Sequence, residues 1–155
     1  CNPAGVDRQL MGIFEGSLTD KVAKVLQKLG SKHAMVVHGY EGLDEVSTTA
    51  STKISHLKMD NTIESTAISP SDFGFEKATL DDLKGGEPEE NAVIIKNILN
   101  GTDKGKKTDI VILNAAAGIL IGSKAKNWED GIQMAREAVN SGAALDKLNQ
   151  LAAVK

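Results

Sequence analysis

Three features of this sequence predict an α/β fold, a parallel sheet flanked by helices with an antiparallel hairpin. A helical stretch from Ser17 to Gly30 leads into the short apolar run Ala34-Met35-Val36-Val37, the order of one unit of a parallel sheet. Lys53 to Leu57 and Thr62 to Ile68 flank Met59-Asp60-Asn61, whose Asp and Asn tolerate positive φ, so a hairpin follows. The C-terminal third reads as helix throughout.

Each element has its own signal. Leu10 to Phe14 is a brief apolar run bounded by Gly16 and compatible with a strand. Ser17 opens the first helix with Asp20 in the capping-box position; Leu18, Val22, Val25, Leu26 and Leu29 form its apolar stripe, and Gly30 supplies a left-handed stop. Ala34 to Val37 is apolar at consecutive positions, as a strand covered on both faces should be. Ser69 to Glu87 carries Pro70, Gly74, Gly85 and Gly86 with little periodicity, so an irregular connection or short helical turns are expected, anchored by Phe73 and Phe75.

Pro88, with Glu89 and Glu90, begins a helix carrying Ala92, Ile95, Ile98 and Leu99 to a stop at Gly101. Thr102 to Lys107 reads as an exposed basic turn. From Thr108 and Asp109 to Ile121 a helix is apolar nearly all round, which predicts burial between other elements. Asn114 inside it is expected to be a core amide satisfied by neighbouring backbone, outside any site. Asn127 caps a further helix with Trp128, Ile132, Ala135 and Val139 on one face, ended by Gly142; Ala144 to Val154 makes the last, through Leu145, Leu148 and Leu151.

The 155 residues fit one α/β domain, 1–155, with 41% apolar residues and a formal charge of -3. Interleaved charges leave no electrostatic footprint for nucleic acid or an anionic membrane. One cysteine, Cys1, excludes an internal disulfide and fits a reducing compartment, so a cytoplasmic location is expected. No apolar run approaches the roughly 18 residues that span a bilayer, and the first residues lack the regions of a signal peptide. The chain starts Cys-Asn-Pro-Ala-Gly, which reads as the interior of a loop and predicts a piece of a longer chain.

The sequence holds no Gly-x-x-x-x-Gly-Lys, no Gly-x-Gly-x-x-Gly after a strand, no Gly-x-Ser-x-Gly and no His-Glu-x-x-His. His33, His38 and His56 are scattered and offer no recognisable zinc framework. His38 is read as terminating a strand, the alternative being a donor to phosphate, because no partner base or nucleophile is spaced near it. Lys84-Gly85-Gly86 is read as a flexible stop, the alternative being an anion-binding turn. Thr48-Thr49-Ala50-Ser51 suits either a ligand pocket or an ordinary polar turn. The most pointed feature is Gly42-Leu43-Asp44-Glu45-Val46-Ser47, directly after the apolar run ending in Val37-His38-Gly39. Ligands of open α/β sheets bind beyond the carboxyl ends of parallel strands, so Asp44 and Glu45 are well placed to hold a hard cation and its phosphates. Surface solvation of two loop acids is the simpler reading of the pair on spacing alone.

Several segments together carry a resemblance. Asn2-Pro3-Ala4-Gly5-Val6 and Gln9-Leu10-Met11-Gly12-Ile13-Phe14 resemble the hinge and strand of the anthranilate phosphoribosyltransferase family. The match continues through Val37-His38-Gly39, Gly42 to Ser47, Asp72-Phe73-Gly74, Leu83-Lys84-Gly85-Gly86, Glu90-Asn91-Ala92, Leu113-Asn114-Ala115-Ala116 and Ser141-Gly142-Ala143-Ala144-Leu145, and so covers essentially the whole chain.

The resemblance implies the C-terminal domain type of the nucleoside phosphorylase and phosphoribosyltransferase fold, and an enzyme moving phosphoribose from phosphoribosyl pyrophosphate to anthranilate in tryptophan biosynthesis. It implies magnesium as cofactor, ligated by Asp44 and Glu45. It also implies that the N-terminal helical domain, the Gly-Thr-Gly-Gly-Asp phosphate loop, the Lys-His-Gly-Asn segment and an anthranilate-contacting arginine lie upstream, with homodimer contacts in the helical domain. The isolated chain is then expected to be inactive, with no catalytic residue of its own assigned. Two other readings are a nucleoside phosphorylase of the same fold and a non-catalytic relative that binds nucleic acid or serves as a scaffold; the loop and hinge matches disfavour the first and the acidic balance the second.

Overall fold

The computed structural model describes residues 5–154; Cys1 and the Asn2-Pro3-Ala4 part of the resemblance lie outside them. Four strands form one sheet in the order β1 (Arg8–Gly12), β2 (His33–Gly39), β3 (Thr52–Leu57), β4 (Ile63–Ile68). β1 and β2 are parallel, whereas β2/β3 and β3/β4 are antiparallel. Helix α1 (Thr19–Lys28) connects the parallel pair, and Asn61, at φ 66, turns the β3/β4 hairpin. This is the parallel unit plus hairpin that the sequence predicts. A 3-10 turn at Pro70–Phe73 and α2 (Leu80–Leu83) occupy the irregular connection, followed by α3 (Pro88–Leu99), α4 (Lys106–Ile121), α5 (Trp128–Asn140) and α6 (Ala143–Ala152).

The pleat of β2 divides the core. Ala34 and Val36 point to one face, where Ala23 and Leu26 of α1 and Leu57 of β3 close over them. Met35 and Val37 point to the other, against Ile112, Leu113, Ala116 and Ala117 of α4, with α5 behind. All four β2 side chains are buried, so the consecutive apolar run has the two-sided cover it requires. α4 is apolar all round for the same reason, lying between the sheet and α5, whose Ile132, Ala135 and Val139 are buried as the stripe predicts. Asn127 accepts the Asp130 amide at 2.8 Å and caps α5, and Phe73 packs on Trp128 with ring centroids 5.3 Å apart.

Several sequence expectations shift. β1 begins at Arg8 and ends at Gly12, leaving Phe14 79% exposed. α1 starts at Thr19, after a 3-10 turn at Gly16–Leu18, and buries Thr19, Ala23 and Leu26, while Val25 and Leu29 stay exposed. The helix therefore meets the sheet through Val22 and Leu26 of the expected stripe together with Thr19 and Ala23, while Val25 and Leu29 face away. In α3 only Ile98 is buried, and α6 buries none of its leucines fully. Asp20 is not a capping-box residue. Its carboxylate crosses to the sheet, accepting from the hydroxyls of Ser55 (3.0 Å) and Ser65 and pairing with Lys53 Nζ at 3.1 Å.

These bonds, Ser65 foremost and then Lys53, hold the Asp20 carboxyl down to about 2. An acid whose folded pKa is depressed stabilises the fold above its unfolded value, near 3.9, and loses that contribution as pH falls toward 2. Asp20→Asn is therefore expected to lower stability at neutral pH and to flatten its decline between about pH 4 and 2, read by urea unfolding across that range.

Candidate metal-binding loop

The chain leaves β2 at Gly39 and turns through residues 40–51 before entering β3. Gly42, at φ 107, makes the reversal, its amide donating to the Gly39 carbonyl at 2.8 Å, and the Gly39 amide donates to Leu43 O at 2.8 Å. A left-handed φ of this size favours glycine strongly. The second half of the loop is buried: Val46 and Thr48 are wholly enclosed, and Ser47 and Thr49 nearly so. The hydroxyl-rich segment thus belongs to the interior, at the root of the acidic loop.

Three fastenings hold that root. Asn114 of α4 donates from Nδ2 to Val46 O and accepts Val46 N–H at Oδ1, both at 2.8 Å, and Nδ2 also donates to Ile110 O at 3.0 Å. The Ser47 amide donates to Thr52 Oγ1 at 2.8 Å. The Ser47 and Thr49 hydroxyls both donate to Glu41 Oε1, and Ser47 Oγ accepts the Thr49 amide at 2.9 Å. Asn114 is a core amide satisfied by neighbouring backbone, as its sequence context predicts, but that backbone adjoins Glu45. Asn114 thus fixes the backbone next to Glu45 without itself reaching the acidic pair. Glu41 was missed altogether, although three hydroxyl residues within eight positions of an acid were a usable signal.

The loop also leans on β1. A Cβ added to Gly12 would stand 1.5 Å from the Asp44 carbonyl oxygen, so the last residue of β1 touches the acidic loop with bare backbone. His38 fills the neighbouring space, its Nδ1 donating to Ile13 O at 2.9 Å and its ring lying over Gly16. It acts as the strand-end residue the sequence suggests. Lys84-Gly85-Gly86 is an irregular connection in which Asn91 bonds both the amide and the carbonyl of Gly86.

Asp44 and Glu45 stand exposed above this support, beyond the carboxyl ends of the parallel pair. Among the described residues neither takes part in a hydrogen bond or ion pair, whereas Asp7, Asp20, Glu64, Glu76 and Asp81 are all matched with lysines. Burial of the Glu45 carboxyl, and secondarily the charge of Asp44, push its pKa above the ordinary glutamate range although the residue surface stays open. Two adjacent, unneutralised carboxylates with uncommitted oxygens are a donor set for a hard divalent ion. No third His, Cys, Asp or Glu completes a cluster among the described residues, so the remaining ligands must be water or substrate oxygens, the mode that suits magnesium.

Asn114→Ala is expected to leave the Val46 amide and carbonyl buried without partners, at about 1–3 kcal/mol for each group, a loss read by urea unfolding.

The family model for the glycosyl transferase family, a/b domain, matches residues 1–145. The anthranilate phosphoribosyltransferase of Methanocorpusculum labreanum is 49% identical over 150 residues, covering 97% of this chain and 43% of that protein. That of Clostridium beijerinckii is 46% identical over 154 residues, covering 99% and 45%. The chain thus spans less than half the length of the curated relatives it matches. Among solved structures, anthranilate phosphoribosyltransferase from Saccharomyces cerevisiae in complex with PRPP and Mg superposes at a TM-score of 0.81 with 31% identity, over 90% of this chain and 40% of that one. The enzyme from Thermus thermophilus gives 0.80 and 34%, with the same coverage. By the extent of the family match and the identity to these relatives over nearly all of its length, the chain belongs to the glycosyl transferase family that carries this α/β domain.

Proposed function

We propose that this chain is the C-terminal α/β portion of an anthranilate phosphoribosyltransferase and supplies its magnesium-binding carboxylates, Asp44 and Glu45. The observation that carries the reading is the pair itself: two unpaired acids at the strand ends, rigidly rooted, in a chain 40–49% identical to enzymes of that name. The substrates are phosphoribosyl pyrophosphate and anthranilate. Magnesium, when bound, supplies Lewis-acid stabilisation of the negative charge that grows on departing pyrophosphate.

The chain's own residues contribute position. Asn114, Glu41 and Thr52 hold the root of the loop, so that the backbone carrying both carboxylates would need little reorganisation to hold a cation as charge develops. Repulsion between Asp44 and Glu45 is relieved when a cation arrives, which favours occupancy of the site by a divalent ion and disfavours an anionic group without one. The Ser47 and Thr49 hydroxyls at the loop are committed to Glu41, and direct attack by the amino group of anthranilate on the ribosyl carbon requires no covalent nucleophile from the chain.

The test is reconstitution. The chain alone is expected to show no turnover, and co-expression with the N-terminal half of a relative is expected to restore formation of phosphoribosylanthranilate, followed by its fluorescence. In the reconstituted enzyme Asp44→Asn with Glu45→Gln is expected to lower kcat/KM by roughly 100-fold or more, the scale of a lost transition-state charge contact. Full activity of that variant would remove the assignment. A carboxyl titration by NMR gives an independent check: Asp44→Asn should move the Glu45 pKa down toward the ordinary value by removing the like charge, while the part due to burial persists.

A further inference from the structure

The three histidines are dispersed in sequence, yet the fold brings two of them together. His33 opens β2 and His56 lies on β3, diagonal to it on the face that meets α4, because Met35 is the register partner of His56. Their Nε2 atoms are 2.9 Å apart. His33 Nδ1 lies 2.9 Å from the carbonyl of Ile121, the last residue of α4. A carbonyl only accepts, so His33 Nδ1 carries the proton and its Nε2 presents a lone pair. The His56 Nε2–H then donates to it.

This is the outer arrangement of a metal-ligating imidazole, in which a carbonyl fixes tautomer and ring orientation from the far nitrogen. His56 Nδ1 has no hydrogen-bond partner among the described residues, so His56 can carry its proton there and offer a second lone pair at Nε2. Zn–N bonds of about 2.0–2.1 Å at a tetrahedral angle set two nitrogens about 3.3 Å apart, so the pair needs to open by only ~0.4 Å with a pivot of the rings. Both side chains are half-buried, which leaves the outer coordination positions to water. The negative end of α4 at Ile121 favours a cation nearby.

We propose that His33 and His56 form a two-imidazole site for a borderline divalent cation of the zinc class, at the end of β2 remote from the acidic loop. Six strand residues at about 3.3 Å each put roughly 20 Å between the two sites. Neutral imidazole nitrogen selects zinc-class ions over magnesium, which takes oxygen. Burial holds both imidazoles below their ordinary pKa, so the lone pairs are free at neutral pH. The charged groups facing the pair are Arg8, which donates to Gly122 O, Lys58, and Glu64, the register partner of His56, which pairs with Lys58. Arg8 and Lys58 oppose a cation, and Glu64 favours one.

Zinc is titrated calorimetrically into the 155-residue chain carrying Cys1→Ser, Asp44→Asn and Glu45→Gln, which removes the thiol and the acidic loop as competing ligands. One equivalent is expected to bind. His33→Ala and His56→Ala should each weaken binding by at least roughly tenfold, the lower bound set by loss of even an outer partner. His56→Gln keeps a donor for His33 Nε2 and so preserves the native hydrogen bond; it should fold like the parent and lose zinc all the same. Zinc should also shift the ring-proton resonances of both histidines. No uptake at millimolar zinc, or uptake that survives both alanine substitutions, overturns the proposal, and neither result bears on Asp44 and Glu45.

Discussion

Everything in this molecule hangs on β2 being covered from both sides. Ala34 and Val36 are covered by α1, and Met35 and Val37 by α4, which is itself backed by Ile132, Ala135 and Val139 of α5. Burying a Val or Met side chain is worth about 1.5–3 kcal/mol, so Met35, Val36 and Val37 in succession place the strand firmly. Its carboxyl end is where the acidic loop begins. The pair of acids is thereby rooted on a strand buried on both faces.

The covering helix on the second face does more than cover. Asn114 sits one position beyond the buried Leu113, on an α4 surface otherwise built of aliphatic side chains, and spends its amide on the two polar backbone groups of Val46. The same packing that excludes water from β2 makes those bonds strong, since an unpaired amide there would be costly. Core and loop are one structure: the hydrophobic layer sets the height of α4, and α4 sets the position of Val46 and hence of Glu45 beside it.

The architecture was legible because it rests on local signals. Consecutive apolar residues at Ala34 to Val37 announce two-sided burial, Asp60 and Asn61 announce a turn, and Asn127 announces a helix start. What escaped was pairing at long range. Asp20 has a capping-box position in the sequence but finds stronger partners in Ser55, Ser65 and Lys53, more than thirty residues away. Asn114 was identified as a satisfied core amide without any sign of which backbone it would satisfy, and the meeting of His33 with His56 depends on a strand register that a single sequence does not display. The acids Asp44 and Glu45 stood out by position, whereas Glu41, their support, looked like one more loop carboxylate.

Two donors close the carboxyl-terminal end of α4, Arg8 from β1 to Gly122 O at 3.0 Å and His33 from β2 to Ile121 O. The final carbonyls of a helix are ordinarily left to solvent or to a glycine cap, and they are where unwinding starts. Here the turn after the helix takes Ile119 O and Leu120 O, and the sheet takes Ile121 O and Gly122 O. Fraying from this end of the helix must first detach the entry points of both parallel strands, which ties the C-terminal turn of the element carrying Asn114 to the sheet.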